Sequence, residues 1–239
     1  MTKIIFLLPP SEWKNSENTF EKEKLKFNFD KPYEIAINAT GKDLKCSWKR
    51  FEEWILLNKN IFKSNTIETI SRYSGVMYNA IDYSWKTDNW KHFFEKHFLI
   101  LSGMYGIISP LDHIWNYKLP IETKWLYNFW WNKISMKLVE LNPDYIVNLL
   151  PDSYAKLIWI WKSSKLENLR NIYTNNWTKI ININFLKPDF KKISHWVKKI
   201  KGEWIKEICE KNIINYEQFW WEIIKNWNIL DINIIVDKV

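Results

Sequence analysis

Glycine is scarce in this chain of 239 residues, which contains five glycines and seventeen tryptophans. Glycine makes up about 7% of an average soluble protein, so its share here is about a third of the usual one. Asn followed by glycine is a strong turn signal, because glycine takes positive φ without steric cost. Trp177 and Trp227 follow Asn at such positions, where a bulky aromatic side chain has no comparable advantage. We therefore interpret many of the tryptophans as occupying glycine positions.

Cysteine is also rare. The two cysteines, Cys46 and Cys209, are too few and too far apart for a disulfide framework or a metal knuckle. A reducing, cytoplasmic setting is therefore the expectation. The histidines show no HxH or HExxH spacing, so the sequence predicts no metal site and no cofactor. The histidines are His92, His97, His113 and His195.

Long apolar runs are absent as well. No run reaches the roughly 18 residues of a membrane-spanning helix, so no membrane partner is expected. The apolar run from Ile4 to Pro10 follows a single lysine and ends in Pro-Pro, which makes a poor signal peptide. It favours a buried first strand instead.

Positive charge is in surplus, with 35 Lys and Arg against 27 Asp and Glu and a net charge of +8. A surplus of this size favours polyanionic partners such as nucleic acid, acidic lipid or nucleotides. The chain is also crowded with Ile, Lys and Asn, a bias that A/T-rich codon usage produces. A solvated, lysine-rich surface explains the charge equally well.

The spacing of apolar residues predicts both strands and helices. The predicted strands span residues 3–8, 145–150, 179–186 and 229–236, and an apolar run over 98–101 continues over 104–108. The predicted helices span residues 48–62, 91–98, 124–141, 195–211 and 216–224, and another opens at 151–153. We expect an α+β (mixed α/β) fold, a single compact domain over residues 1–239 with a mixed central sheet flanked by helices.

The first candidate site follows the first predicted strand. Its loop carries the hydroxyl of Ser11, the carboxylate of Glu12 and the amine of Lys14. Ligands favour the edge of an α/β sheet where strands end. The alternative is an ordinary solvated loop.

The second candidate site combines the segments 101–106, 110–112 and 117–120. Its pocket candidates are Ser102, Gly103, Tyr105, Gly106, Asp112 and Tyr117. The two glycines allow a close approach of backbone to a phosphate, but no Gly-Lys-Ser/Thr follows, so the segment is not a P-loop. Asp112 either orients Lys118 or Tyr117, or caps a turn.

The third candidate site is the basic helix that begins at Ser194-His195 and carries Lys198, Lys199, Lys201 and Lys206. Lysines near a helix start can meet phosphates through charge and free backbone N–H groups. A solvated helix face explains the same pattern. No Ser/His/Asp arrangement and no carboxylate pair stands out, so no catalytic residue is assigned.

Taken in order, these segments resemble the YaaA family, a family of peroxide stress proteins formerly known as a domain of unknown function. The resemblance covers nearly the whole chain. The matching stretches are Leu8-Pro9-Pro10-Ser11-Glu12-Trp13-Lys14, Asp43-Leu44-Lys45-Cys46, Lys49-Arg50-Phe51-Glu52-Glu53, Tyr73-Ser74-Gly75-Val76-Met77-Tyr78, Ile100-Leu101-Ser102-Gly103-Met104-Tyr105-Gly106, Pro110-Leu111-Asp112, Tyr117-Lys118-Leu119, Phe129-Trp130, Val147-Asn148-Leu149 and Ser194 through Gly202.

The resemblance implies a cytoplasmic bacterial protein that protects against hydrogen peroxide, binds duplex or distorted DNA through a basic cleft, and limits iron-dependent DNA damage. It also implies a YaaA-like mixed α/β fold and a helix-hairpin-helix element, which we place near residues 73–78. The expected phosphate contacts are Lys14, Lys45, Lys118, Lys198, Lys199 and Lys201. The expected cleft residues are Ser11, Glu12, Ser102, Gly103, Tyr105, Gly106, Asp112, Tyr117 and His195.

Two other functions compete with DNA binding. One is an enzyme of unassigned chemistry, whose polar pocket is formed by the Pro-Pro-Ser-Glu-x-Lys and Leu-Ser-Gly-x-Tyr-Gly segments. A deep pocket favours this enzyme, whereas a long, shallow basic groove favours nucleic acid. The other is sugar binding through exposed tryptophans, which loses its support if those residues are glycines.

The chain departs from the YaaA family at several tryptophans. The family has glycine at the positions of Trp13 and Trp131, and glycine is also expected at Trp48, Trp85, Trp115 and Trp125. Trp130 and Trp204 look like genuine aromatics. We hypothesise that the gene reads UGA as glycine, as some bacterial lineages do, whereas this translation reads it as tryptophan. A tryptophan forced to positive φ would strain the backbone by roughly 1–2 kcal/mol.

Overall fold

The computed structural model of the protein describes residues 2–17, 19–158, 178–193, 196–213, 222–226 and 229–236. The strands are β1 (Ile4–Leu8), β2 (Ile67–Glu68), β3 (Phe98–Ser102), β4 (Gly106–Ile108), β5 (His113–Ile114), β6 (Tyr145–Asn148), β7 (Lys179–Leu186), β8 (Glu222–Asn226) and β9 (Ile229–Ile235). The helices are α1 (Tyr33–Ile37), α2 (Trp48–Lys59), α3 (Thr69–Arg72), α4 (Val76–Ile81), α5 (Asp88–His97), α6 (Leu126–Trp130), α7 (Lys133–Glu140), α8 (Asp152–Ala155) and α9 (Val197–Glu210). Short 3-10 turns cover Ile61–Lys63, Tyr83–Trp85 and Lys156–Ile158.

Seven strands form one mixed sheet in the order β4-β3-β1-β6-β7-β9-β8. The five inner strands are parallel, and the edge strands β4 and β8 pair antiparallel with their neighbours. β2 and β5 form a separate antiparallel pair. The expected α+β (mixed α/β) fold with a mixed central sheet and helices is confirmed.

β1 lies at the centre of the hydrophobic core. Every residue of β1 is buried, as expected for a parallel strand that is covered on both faces. Phe6 stacks on Phe98 at 4.5 Å between ring centroids, and Trp204 of α9 meets Phe6 edge-on at 6.3 Å. These contacts fix β1 between β3 and the helix α9.

The carboxyl ends of three neighbouring strands meet at one edge of the sheet. Leu8 pairs with Ile100 of β3, and Leu7 pairs with Asn148 of β6. The chain leaves β1 toward β3 on one side and leaves β6 toward β7 on the other. Ligands of open α/β sheets bind outside the carboxyl ends of strands at such a reversal. We call this place the β1/β6 edge.

The predicted helix over 124–141 is two helices. α6 ends at Trp130, and α7 begins at Lys133. Between them, Trp131 takes φ 11° and ψ −118°, which is neither helical nor extended. The apolar periodicity continues across this break, so it does not reveal the interruption.

The predicted helix over 216–224 is wrong for the residues that the structure describes. Residues 222–224 belong to β8, which pairs antiparallel with β9 from Glu222↔Asn233 to Asn226↔Ile229. Backbone pairing with β9 outweighs the helical spacing of a short apolar segment. Residues 214–221 lie outside the described part of the chain.

Ten of the eleven tryptophans that the structure describes are either exposed or buried, and Trp54 is half-buried. Trp125 and Trp196 immediately precede α6 and α9 and take φ 70° and φ 67°, in the left-handed region. A bulky residue rarely adopts this conformation. Trp130 is buried, and its indole N–H donates to the carbonyl oxygen of Gly103 at 2.8 Å. The exposed group is Trp13, Trp48, Trp85, Trp125, Trp131 and Trp196, and the buried group is Trp90, Trp115, Trp130 and Trp204.

The buried position of Trp115 distinguishes it from the other tryptophans at which glycine was expected. Its ring packs edge-on against Phe62 at 5.1 Å between centroids and lies 6.5 Å from the ring of Tyr105. These contacts are typical of an aromatic core residue. The structure therefore favours an aromatic residue at position 115.

Candidate functional site

The loop after β1 is held against the segment between α3 and α4. Lys14 bridges Tyr73 in antiparallel fashion, and the Ser74 N–H donates to the Trp13 carbonyl at 3.0 Å. The Ser11 hydroxyl donates to the Ser74 carbonyl and accepts from the Trp13 N–H at 3.2 Å. Ser11 therefore fixes the loop that carries Glu12 and Lys14.

Lys14 lies among aromatic rings and other cations. Its Nζ donates to the Ser11 carbonyl at 3.0 Å and lies 4.5 Å from the centre of the Tyr117 ring. Burial lowers the pKa of Lys14 from 10.5 to about 7; the Lys118 ammonium and the Arg72 guanidinium act in the same direction, and the Glu12 carboxylate opposes them. A lysine whose pKa is lowered this far is partly uncharged at neutral pH, and an uncharged lysine can act as a base or a nucleophile.

Lys118 is a second buried cation beside Lys14. Its Nζ lies 3.7 Å from a carboxylate oxygen of Glu12, whose side chain is 71% exposed, and 5.4 Å from the centre of the Trp54 ring. Asn58 fixes the Lys118 backbone, because its amide donates to the Lys118 carbonyl at 2.9 Å and its oxygen accepts from the Lys118 N–H at 3.0 Å. The Lys118 ammonium is thus held in place with an exposed carboxylate as its counterion.

Three hydroxyls form a chain beside Lys14. The Ser102 Oγ lies 2.6 Å from the Tyr117 Oη, which lies 2.7 Å from the Tyr73 Oη. The Ser102 Oγ accepts from the backbone N–H groups of Met104 and Tyr105 at 3.2 and 3.1 Å. Because both lone pairs of Ser102 are used, its proton is donated to Tyr117, and the hydroxyls of Tyr117 and Tyr73 share the next hydrogen bond. Burial raises the pKa of Tyr117 to about 12, so this chain keeps its protons at neutral pH.

Asp112 organises a loop. Its two carboxylate oxygens accept from the backbone N–H groups of Lys26 at 2.9 Å and Ser109 at 2.8 Å. Its carbonyl oxygen accepts from the Thr69 N–H at 2.7 Å. Of the two roles expected for Asp112, these bonds are those of a turn cap.

Gly103, Tyr105 and Gly106 serve packing. A Cβ on Gly103 would collide with the Leu119 carbonyl oxygen, and Gly106 takes φ 73° with the Trp130 ring 2.8 Å from the position of a Cβ. The Tyr105 hydroxyl accepts from the Trp115 N–H at 3.0 Å. These bonds and contacts explain why each residue occupies its position.

The six lysines expected to contact phosphate divide into two groups. Lys14 and Lys118 are described above, and Lys201 donates from Nζ to the Leu149 carbonyl at 2.8 Å, next to the end of β6. Burial lowers the pKa of Lys201 to about 8, while Asp152 raises it and Lys198 lowers it. The structure therefore places Lys201 at the β1/β6 edge.

The other three lysines are exposed. Lys198 and Lys199 lie in the first turn of α9, and Lys199 pairs with Glu203 at 3.6 Å. Lys45 pairs with Glu122 at 3.0 Å. The structure does not describe His195, the remaining expected cleft residue.

The segment 69–81 contributes groups that the sequence did not single out. Tyr73 closes the hydroxyl chain, the Tyr78 hydroxyl donates to the Pro9 carbonyl at 2.8 Å, and buried Arg72 donates to the carbonyls of Glu17 at 3.0 Å and Ile114 at 3.3 Å. The only signal for them was the resemblance over Tyr73–Tyr78, because they show no local spacing of their own. Gly75, at φ 107°, joins α3 to α4, and the helix-hairpin-helix element stays a prediction.

The described residues contain neither a metal-binding cluster nor a membrane-spanning helix. No cluster of three or more His, Cys, Asp or Glu side chains there has the geometry to hold a metal ion. None of the described helices is long and apolar enough to cross a membrane.

Comparison with known proteins identifies the family. A family model described as peroxide stress protein YaaA matches residues 4–227. The chain belongs to the YaaA family. The match includes the loop after β1, the hydroxyl chain and the lysines of α9, so all parts of the candidate site lie within the YaaA region.

Individual relatives carry the name UPF0246 protein. One from Clostridioides difficile strain 630 is 32% identical over 171 residues, 65% of this chain and 68% of the relative. Another, from Malacoplasma penetrans, is 32% identical over 139 residues, 52% of this chain and 56% of the relative. A third, from Colwellia psychrerythraea, is 27% identical over 200 residues, 78% of this chain and 73% of the relative. The matched part thus spans between 56% and 73% of the length of these YaaA-family relatives.

Proposed function

We propose that this YaaA-family protein acts in the cytoplasm under peroxide stress by binding DNA, in duplex or distorted form, through a basic surface at the β1/β6 edge. The observation that carries the proposal is the exposed pair Lys198 and Lys199 in the first turn of α9. Lys201, less than one turn further along α9, donates to the Leu149 carbonyl directly after β6. Lysines near a helix N-terminus are suited to phosphates because charge and free N–H groups act together. The net charge of +8 agrees with a polyanionic partner.

The lysines have different roles in this proposal. Lys198, Lys199 and the exposed Lys45 contact phosphates directly, because their side chains reach solvent. Lys14 and Lys118 are too enclosed to follow a DNA backbone, and they add positive potential behind the surface. Glu12 is the exposed carboxylate that pairs with Lys118 and acts on Lys14, so these three groups carry positive charge in excess.

Displacement of cations links DNA binding to protection from iron. Each lysine that neutralises a phosphate releases condensed cations from the DNA. Ferrous ions are among the cations that DNA phosphates hold, so bound protein lowers the iron at the DNA, where peroxide would be reduced to a damaging radical. Protection therefore requires no iron ligand on the protein.

A gel-shift series with duplex and bubble DNA tests the binding proposal. Affinity should fall steeply as salt rises from 50 to 200 mM, by roughly tenfold or more if three phosphates are neutralised. In parallel, nicking of plasmid DNA by ferrous iron and peroxide should decrease at protein concentrations that saturate the DNA. An affinity that is independent of salt would contradict the electrostatic contact.

An enzyme is the second candidate function, and one observation favours it. An enclosed lysine with a pKa of about 7 lies beside a proton-bearing hydroxyl chain at the carboxyl ends of parallel strands. Perturbed titratable groups at such an edge are typical of active sites. A Lys14→Met variant that still binds DNA but no longer protects cells from peroxide would support an activity separate from binding.

We also infer that the exposed tryptophans at glycine-type positions are encoded by UGA and are glycines in the native protein. The positive φ of Trp125 and Trp196 and the exposure of all six members of the group support this inference. Reading the codons tests it, because UGG at these positions would exclude it. The intact mass of the protein from its own host is the second test, since each replacement lowers it by a fixed step.

A further inference from the structure

The environment of Lys14 is that of a reactive amine. Its Nζ is fixed by one hydrogen bond, to the Ser11 carbonyl at 3.0 Å, and by the rings of Tyr117 at 4.5 Å and Tyr73 at 5.4 Å. Among the described residues, no carboxylate lies within 4.0 Å of this nitrogen. The residue is half-buried, so it keeps some contact with solvent. A lysine used for charge pairing would have a counterion here.

The charges around Lys14 favour the unprotonated form of its amine. Lys118 and Arg72 face it with positive charge, Tyr73 and Tyr117 are neutral, and Glu12 is the one carboxylate that acts on it. A neighbouring cation and an apolar surrounding are the two features that activate lysines for attack on carbonyl compounds. Lys14 has both.

The same charges select an anionic substrate. The Lys118 ammonium lies 3.7 Å from Glu12, which is long for an ion pair, and the Glu12 side chain is 71% exposed. Because the distance is long and the Glu12 carboxylate is solvated, the pair contributes little energy although Lys118 itself is buried. A phosphate can therefore replace Glu12 as the counterion of Lys118 and hold a carbonyl carbon near Lys14.

We propose that Lys14 is a nucleophile that condenses with an aldehyde bearing a phosphate ester, forming an imine at the β1/β6 edge. The amine nitrogen attacks the carbonyl carbon, a C–N bond forms, and the carbonyl oxygen takes up two protons and leaves as water. The amine supplies both protons in the net reaction. One moves from nitrogen to the alkoxide oxygen to give a carbinolamine; solvent then protonates the departing hydroxyl and recovers a proton from the iminium nitrogen, as the last C–O bond breaks and the C=N bond forms. Amine and aldehyde are thus converted to imine and water, with no change in oxidation state.

The hydroxyl chain positions the reaction. Ser102, Tyr117 and Tyr73 keep their protons, and the Tyr117 ring forms the wall beside the Lys14 nitrogen. The inference deepens the second candidate function and rests on this cluster being a ligand site. Two kinds of molecule carry an aldehyde next to a phosphate: a small phosphorylated aldehyde, and the ring-opened sugar of an abasic site in DNA. The experiment below uses one of each to distinguish them.

The experiment traps the imine on the full chain at pH 7 with sodium cyanoborohydride. One arm uses glyceraldehyde 3-phosphate, with unphosphorylated glyceraldehyde for comparison, and the other uses a duplex oligonucleotide with one abasic site. Mass spectrometry of peptides then locates the reduced adducts. Lys14 should carry at least about tenfold more adduct than any exposed lysine, because an ordinary lysine with a pKa of about 10.4 is almost fully protonated at pH 7. Adducts on exposed lysines with Lys14 unmodified would overturn the proposal.

Substitutions and the pH dependence of labelling test the role of Lys14 further. Lys14→Arg should abolish the dominant adduct, and the exposed control Lys49→Arg should keep it. If Lys14→Arg does not fold, the positions of the adducts on the unaltered chain test the proposal instead. Lys118→Met should move the pH at which labelling of Lys14 is half-maximal upward from about 7, because the cation that lowers the Lys14 pKa is gone. Labelling that is equal with and without the phosphate would overturn the choice of substrate.

The outcomes also separate this inference from DNA binding. Adduct with the triose phosphate but not with the abasic duplex assigns a small substrate, and the reverse assigns damaged DNA. An adduct at Lys14 in a protein that does not shift intact DNA would support the imine chemistry and contradict the DNA-binding proposal. DNA binding without any adduct at Lys14 would support DNA binding and contradict the imine chemistry.

Discussion

Burial changes the charge of Lys14 near neutral pH, and this single effect determines what the residue can do. In water a lysine has a pKa of about 10.4, whereas Lys14 has a pKa of about 7 because its ammonium is desolvated and faces Lys118. The same loss of solvent holds the Tyr117 hydroxyl protonated. An amine that loses its proton near neutral pH and a phenol that keeps its proton therefore lie side by side.

The first prediction concerns stability against pH. The pKa of Lys14 is lower in the folded chain than in the unfolded chain, so the unfolded chain binds more protons between about pH 7 and 10.4, and this group's destabilising effect disappears as pH rises through that window. Lys14→Met should therefore stabilise the protein relative to the unaltered chain more at pH 7 than at pH 10. Urea unfolding at several pH values measures the difference. The exposed control Lys96→Met should show no such trend, and parallel curves for Lys14→Met and the unaltered chain would contradict the shift.

At the scale of elements, the starts of α6 and α9 are the places where a tryptophan takes a backbone conformation that favours glycine. Trp125 and Trp196 hold positive φ there with exposed side chains. Glycine would take the same conformation without the clash between Cβ and the backbone. The adjacent Trp130 and Trp131 differ in the same way, since Trp130 is buried in the core and Trp131 is exposed.

The second prediction follows from this contrast. Trp125→Gly and Trp196→Gly should each stabilise the protein by about 1 kcal/mol, because each relieves a left-handed backbone strain. Trp130→Gly should destabilise it by about 3–5 kcal/mol, because a buried ring and its hydrogen bond to Gly103 are lost. Denaturant unfolding measures the free energy of unfolding of the three variants, evaluated with the same dependence on denaturant concentration. Destabilisation by Trp125→Gly as large as that by Trp130→Gly would contradict the assignment of position 125 to glycine.

The elements also show what the sequence can and cannot predict. The buried run of β1 and the lysines of α9 follow from apolar spacing and charge, because both patterns are local. The break between α6 and α7 depends on the backbone of Trp131, and the strand β8 depends on pairing with β9, so neither is visible in periodicity. The contact of Lys14 with Tyr73 and Tyr117 joins segments about 60 and 100 residues apart. The sequence predicts that Lys14 follows a strand, and only the fold shows that it is enclosed.

At the scale of the whole molecule, the strand order decides where function can reside. Because the chain leaves β1 and β6 toward opposite sides, the loop after β1 and the segment after β6 diverge at the β1/β6 edge, which is where open α/β sheets bind ligands. There Lys201 donates to the Leu149 carbonyl that follows β6, and Tyr78 donates to the Pro9 carbonyl that follows β1. The proposed phosphate surface on α9 and the proposed reactive amine therefore belong to the same edge.

The salt dependence of DNA binding tests the central proposal most directly. The double variant Lys198→Gln, Lys199→Gln removes two charges beside the β1/β6 edge. The control Lys3→Gln, Lys96→Gln removes two at the opposite edge, where Lys3 precedes β1 and the neighbour of Lys96, His97, hydrogen-bonds the Ile4 carbonyl at 3.0 Å. Fluorescence anisotropy of a labelled duplex between 50 and 200 mM salt should show the slope of log affinity against log salt reduced by about 2 in the first variant and nearly unchanged in the control. Equal slopes in both variants would contradict DNA binding at this edge.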